Sequence, residues 1–348
     1  MHPESTSLAL VESPVQLLHV IEWCSWHQAH DLQVAVLPPR EGRGRTQLAA
    51  MRRIAEDSGL AVEWLDPRLS WGGPLWAWAR LRRRAVKADR VLIGDPFSGL
   101  IQAIMSTARI AKVVVVDDGT ATIDFAESLA NGDPLLRWAV RTGRFTRFSR
   151  AGLAGRTSRL LRKLGPQGLE LFTVMPVELD GIAEVTRHDY RWTRTAFGPP
   201  QVRDQVTVIG SSLVESGLLT EDAFVAAITE AMRSLGAMRG VYVSHRREDP
   251  EKLARLAAAT GLTVVSSEVP LEIELRRGEV GRSVVCFPST PAYTLPLVLS
   301  DTDIELTVLP AQPDWFHPDA DARATDFVAR LGDQPSEQGS RRRPYRPR

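Results

Sequence analysis

Short apolar runs recur along the chain, each closing on a glycine, a carboxylate or a hydroxyl residue, and they alternate with longer stretches of helical spacing. SLALVES, DLQVAVL, AVEWLD, DRVLIGD and KVVVVDD read as strands, rich in β-branched residues and bounded by turn formers. PVQLLHVIEWCSWHQAH reads as a helix with Pro14 in its first turn, where a missing N–H costs nothing. Residues 126–176 read as mostly helical and rich in arginine, and TRTAFGPPQVRDQ as a linker around Pro199 and Pro200.

A second set follows. QVTVIGS, GVYVSH, LTVVSS and RSVVCFPS read as strands; EDAFVAAITEAMRSLG, DPEKLARLAAATG and a segment from about Thr290 read as helices. Alternating strands and helices predict α/β architecture with parallel sheets. The expected organisation is an N-terminal Rossmann-like domain over 1–192, a linker over 193–205, a C-terminal Rossmann-like domain over 206–332 and a disordered Pro/Arg-rich tail over 333–348. Two such halves predict a ligand cleft between them.

The length of 348 residues gives each half enough chain to bury a core. The charge is near neutral, +1 from 43 basic and 42 acidic residues, so no basic field argues for nucleic acid. Cys24 and Cys286 lack metal-ligand or disulfide-framework spacing, which fits a reducing compartment and gives no zinc site. No stretch approaches the ~20 apolar residues of a membrane span, so the expected location is cytoplasmic, with the inner face of the plasma membrane as the further candidate.

Candidate chemistry gathers at the carboxyl ends of the strands, where open α/β sheets bind ligands. These ends read ESPVQLL with Ser13 and Gln16, GDPFSG with Asp95, DDGT with Asp117, Asp118 and Gly119, IGSSLVE with Gly210, YVSHRRED with His245, and FPSTPAYTL with Ser289 and Thr290. Taken singly, an Asp pair at a strand end is a turn or a helix cap, and Ser-Thr before a helix is a cap. His19, His27, His30 and His188 have no motif around them and receive no role.

In order, SPVQLL, DDG, IGSSLVESGLLTED, YVSHRRED, PLE and FPSTPAYTL resemble the bacterial sialyltransferases, in particular the branch with polysialyltransferases and lipooligosaccharide sialyltransferases. The resemblance runs from about Leu8 to Leu299. It implies a GT-B fold, a CMP-sialic acid donor held by the C-terminal domain and inverting transfer to a glycan hydroxyl held by the N-terminal one. It implies Asp118 as general base, supported by Asp117, with Gly119 leaving room for the acceptor and Ser13, Gln16 and Asp95 lining the acceptor side.

On the donor side the resemblance implies His245 as acid or hydrogen-bond donor to the leaving phosphate, Ser289 and Thr290 as phosphate ligands, Glu272 as ribose acceptor and Gly210 beside them. No cofactor and no metal are implied beyond the donor substrate. The sequence departs from the family where Arg246 follows His245 in place of proline; His317-Pro318 comes after the Ser-Thr motif, in the wrong order. Some related enzymes have a lysine shortly before the histidine, where this chain has Val243, two residues before His245. That leaves open another CMP-linked nonulosonic acid, another nucleotide-sugar donor, or a silent glycan-binding protein.

Arg141, Arg144, Arg147 and Arg150, within the Arg-rich segment 137–165, recur every three residues beside Phe145 and Phe148. A solvated helical face is one reading. A groove for an anionic glycan, or peripheral contact with an anionic membrane, is the other.

Overall fold

The computed structural model describes residues 7–40, 42–67, 72–136, 144–237 and 239–333. Two compact units divide the chain, Met1–Trp192 and Thr193–Arg348.

In the first unit the elements run β1 (Ser7–Val11), α1 (Pro14–His27), β2 (Leu32–Val36), α2 (Arg43–Asp57), β3 (Ala61–Trp64), α3 (Gly73–Lys87), β4 (Arg90–Ile93), α4 (Gly99–Thr107), β5 (Val113–Val116), α5 (Ala121–Asn131), α6 (Arg144–Gly168), β6 (Leu169–Thr173) and β7 (Glu184–Arg187). The sheet has the order β3-β2-β1-β4-β5-β6-β7, with every pairing parallel. Chain direction across the sheet reverses between β1 and β4, so the loops after these strands diverge and leave a crevice at their carboxyl ends. The four valines of β5 are all buried, as a central parallel strand covered on both faces requires.

The second unit contains α7 (Arg191–Phe197, begun in the first unit), β8 (Gln201–Ile209), α8 (Glu221–Ser234), β9 (Gly240–Ser244), α9 (Pro250–Thr260), β10 (Thr263–Ser266), α10 (Leu271–Arg277), β11 (Glu279–Cys286), α11 (Pro291–Val298), β12 (Glu305–Val308) and α12 (Ala322–Asp333). Its sheet, β10-β9-β8-β11-β12, is again all parallel, with its switch point between β8 and β11. Phe224 of α8 stacks on Phe287 at 4.4 Å in a core completed by Tyr242, Ile228 and Leu256.

Several sequence expectations are corrected. The described part of 126–176 is mostly helical, as read, but not at its end: Gly165 (φ 60°) and Pro166 kink α6, and LELFT then pairs in parallel with β5 as β6. The stretch 193–205 is mostly regular, because α7 reaches Phe197 and β8 starts at Gln201. Strands β7 and β12 and helix α10 are additions to the pattern read from the sequence. Residues 334–348 of the expected tail and Arg141 lie outside the described residues; of Arg144, Arg147 and Arg150 only the helical backbone is described. Among the described residues no helix is long and apolar enough to cross a membrane.

Candidate functional site

The residues with candidate chemistry fall into two groups, one at the carboxyl ends of the strands in each unit.

In the first unit, β5 ends in two aspartates with opposite fates. Asp117 is wholly buried. Its Oδ2 accepts from the Thr173 hydroxyl (2.8 Å) and the Val174 N–H (2.9 Å), and its Oδ1 accepts from the Thr122 hydroxyl. It therefore fastens β5 to the end of β6 and to α5. Burial pushes its carboxyl up to about 6, against the pull of those donors, which favour the charged form.

Asp118 is half-buried and lines a small crevice together with Gly94, Asp95, Pro96, Phe97, Thr122 and Phe125. Its backbone N–H donates to the Thr122 hydroxyl (3.0 Å), and its Oδ1 accepts from the Ser13 hydroxyl (3.3 Å). Thr122 thus bridges the two aspartates. Gly119 sits at φ 69°, a conformation that would strain any residue with a Cβ, and its carbonyl takes the N–H of Thr122. The acidic pair is consequently divided between one wholly buried structural carboxylate and one half-buried carboxylate at the crevice.

Ser13 caps α1, accepting the N–H of Gln16 at 3.2 Å while it donates to Asp118. Gln16 is buried, its Oε1 holding the Glu12 N–H at 2.7 Å, and a Cβ at Gly94 would fall 2.2 Å from that oxygen. Gln16 therefore braces the β1–β4 switch point. Asp95 accepts the N–H of Phe97 (2.9 Å) and shapes the GDPFSG loop.

Behind Asp117 lies a buried pair that carried no sequence signal: His19 of α1 and His188 after β7. Their Nδ1 and Nε2 atoms are 3.0 Å apart, and with an Asp117 oxygen they lie within 4.8 Å of one another. The Tyr190 N–H donates to His188 Nδ1 at 3.4 Å, so His188 donates from Nε2 to His19 Nδ1, and His19 Nε2–H faces the Tyr190 hydroxyl at 3.3 Å. Burial holds both imidazoles neutral, His19 down at about 3. Each atom of this group that could ligate a metal is thus engaged in a hydrogen bond within the protein.

In the second unit, the loops after β8, β9 and β11 carry the candidates. His245 is half-buried after β9, and its Nδ1 accepts the Arg247 N–H at 3.2 Å, which leaves the proton on Nε2. Burial first, then the cations Arg246 and Arg247, depress it to about 4. Of the two roles the resemblance implies, acid or hydrogen-bond donor, the neutral imidazole with its fixed N–H fits the donor.

The loop is set by Glu248, missed in the sequence reading although the acidic pair in HRRED was its signal. Glu248 Oε2 accepts the His245 N–H (2.6 Å), and Oε1 accepts from Tyr242 (2.6 Å) and from Lys252 (2.7 Å). Lys252, 1% exposed, also pairs with Glu215 at 2.8 Å and sits 4.6 Å from the Phe224 ring centroid. Gly210 is required for this packing: a Cβ there would lie 2.3 Å from Glu248 Oε2 and 2.8 Å from the His245 nitrogen.

Beside Gly210, Ser211 is buried with a hydroxyl that has no hydrogen-bond partner, an unusual position for a polar group and one the sequence reading did not single out. Ser289 donates to the Phe287 carbonyl (3.1 Å), and Thr290 precedes α11 without a side-chain capping bond, so neither hydroxyl caps that helix. Glu272 lies buried in the first turn of α10, which packs on α11.

No protein-family model and no curated protein sequence matches the chain. Solved structures do. An α/β-galactoside α-2,3-sialyltransferase from Photobacterium phosphoreum is similar at 9% identity over 94% of this chain and 95% of that one, with a TM-score of 0.53. A UDP-N-acetylglucosamine 2-epimerase from Listeria monocytogenes is similar at 11% identity over 88% and 79%, TM-score 0.50. MurG from Acinetobacter baumannii is similar at 13% identity over 94% and 83%, TM-score 0.43. At such identities the likeness concerns the fold alone: α/β of the GT-B type, built from two parallel sheets with interleaved helices.

Proposed function

We propose that the protein is an inverting glycosyltransferase that moves sialic acid, or a related nonulosonic acid, from a CMP-linked donor to a glycan hydroxyl in the synthesis of a surface polysaccharide or glycolipid. The observation that carries this reading is the division of labour in DDGT. Asp117 is consumed by three structural hydrogen bonds, while Asp118 is half-buried among the residues that line the crevice, held by Thr122 at its backbone and by the Ser13 hydroxyl at its carboxylate. A group held in that way suits a general base.

In the reaction so read, Asp118 takes the proton of the acceptor hydroxyl as its oxygen bonds to the anomeric carbon. The bond from that carbon to the phosphate oxygen breaks on the opposite face, and CMP leaves with the electron pair. His245 Nε2–H, Arg246 and the hydroxyls of Ser289 and Thr290 receive the negative charge that develops on the phosphate. Ser211 is a further candidate for that side, and Glu272 for the ribose. The sialyltransferase likeness supports the fold this chemistry uses, and the ordered motifs support the donor class.

The test is incubation of the purified protein with CMP-sialic acid and mixed glycan acceptors, following CMP release and product mass. Asp118→Asn should lose about 10²–10⁴ of the rate with its circular dichroism unchanged. No turnover of any CMP-linked donor, or full activity in that variant, would falsify the assignment. Arg246 and Val243 favour one second reading, a transferase with a different nucleotide sugar; release of UDP or GDP in the same assay identifies it.

A further inference from the structure

Helix α3 of the first unit takes no part in the chemistry above, and its surface is unusual. Ala77, Leu81 and Ala85, at i, i+4 and i+8, are buried and seat the helix on its unit. The opposite side holds Leu75 at 70% exposure, Trp76 at 52% and Val86 at 47%. Isolated exposed apolar residues are ordinary, but these share one side of one helix with Ala79 between them.

The charges around them have one sign. Between Gly73 and Lys87 stand Arg80, Arg82, Arg83, Arg84 and Lys87, with no Asp or Glu. Arg80 and Arg84 share the single carboxylate of Glu63. At 100° per residue, Leu75, Ala79 and Val86 form one stripe, with Arg82 along one flank and Arg83 and Lys87 along the other. The Arg80 guanidinium lies 5.6 Å from the Trp76 ring and that of Arg82 6.0 Å from the Trp78 ring, so two cations are associated with aromatic rings.

We propose that α3 is a docking surface for an anionic lipid bilayer, lying in the interface with Leu75, Trp76 and Val86 inserted and Arg83 and Lys87 on the headgroups. An apolar stripe with cations on both flanks is what an in-plane helix needs, and indole rings suit the headgroup level. A nucleic acid would use the cations but gain nothing from Leu75 and Val86. An acidic protein surface would not account for three large apolar side chains in water. This surface is distinct from the Arg-rich helix α6 and independent of the reaction assigned above.

The test is co-sedimentation of the full chain with vesicles of phosphatidylcholine alone or with one third phosphatidylglycerol. The expected result is binding to the anionic vesicles, much weaker binding to the neutral ones, and loss with added salt. Leu75→Ser with Trp76→Ser should weaken binding at least about tenfold, and Arg83→Gln with Lys87→Gln by about fivefold for each charge removed. All four side chains are exposed, so the two variant pairs test the proposal independently and without disturbing the core.

Absence of binding to anionic vesicles overturns the proposal. So does binding that both variant pairs leave intact, or binding abolished only by charge reversal at Arg144 and Arg147. Retention on RNA without retention on vesicles overturns it as well.

Discussion

Replacing Asp117 with Asn isolates two opposed effects at the junction of β5, β6 and α5. The carboxylate has no contact with water, which penalises its charge, yet it accepts from Thr122, Thr173 and Val174, which favours the charge. His19 and His188 behind it are neutral and offer no compensating cation. Burial prevails and lifts the carboxyl from its ordinary 3.8 to about 6, a difference of about 3 kcal/mol between the protonation states. The folded state therefore holds this proton more tightly than the unfolded chain. The contribution to stability is largest below pH 4, declines as pH rises from about 4 to about 6, and is flat above that.

Asn has no proton to lose and escapes that decline. Its amide does place an N–H₂ among three donors, at a cost of about 1–3 kcal/mol at every pH. Urea unfolding of wild type and variant, followed through the transition of the first unit, should show wild type ahead at about pH 4.5 and the gap narrower by about 2 kcal/mol at about pH 7.5. Other titrating groups are common to both proteins and cancel. A gap that widens with rising pH would refute the reasoning, because it would mean that the three donors outweigh burial and hold the carboxyl low.

The second unit offers two further tests. If His245 acts as a neutral donor from Nε2, Gln can replace its N–H: His245→Gln should stay within about tenfold of wild type in kcat/KM while His245→Ala loses about 10²–10³. An equally dead Gln variant, together with an acid limb near the ordinary histidine value, would instead identify a protonated acid. Its depressed pKa also means that the stability it contributes is complete above about 6.5 and is lost as pH falls toward about 4, measurable as an acid shift of the melting curve in the Gln variant. Lys252→Met should destabilise the second unit by about 3–5 kcal/mol, since it leaves the buried Glu248 uncompensated, and adding Glu248→Gln should restore part of the loss in thermal melts.

Local pattern carried the framework. Each run read as a strand forms one, and the helices read after β8 and β9 form at Glu221 and Pro250, capped by the side chains of Thr220 and Asp249. The elements that escaped were those whose identity depends on a partner. LELFT follows a long helical run, and it becomes β6 because the edge of β5 is there to pair with it. The segment TRTAFGPPQVRDQ has the prolines of a linker, but its last residues extend β8 beside β11.

The candidate site divides along the same line. Asp118, His245, Ser289 and Thr290 could be named from short motifs because each motif lies at a strand end, a position sequence can locate. What holds them could not. Asp117 is fixed from Thr173 and Val174, residues 56 and 57 positions away. Glu248 is only three residues from His245, yet its burial depends on Tyr242, Lys252 and the bare Cα of Gly210. The same physics explains why the protonation of His245 does not follow from its motif. A histidine's ordinary pKa belongs to an imidazole in water, whereas this one is partly enclosed and flanked by two arginines. Both Arg246 and Arg247 are plain in the sequence, but the enclosure is not, and enclosure is the larger effect. A motif thus locates which side chains stand at a strand end; the charge they carry is decided by neighbours that the fold brings in.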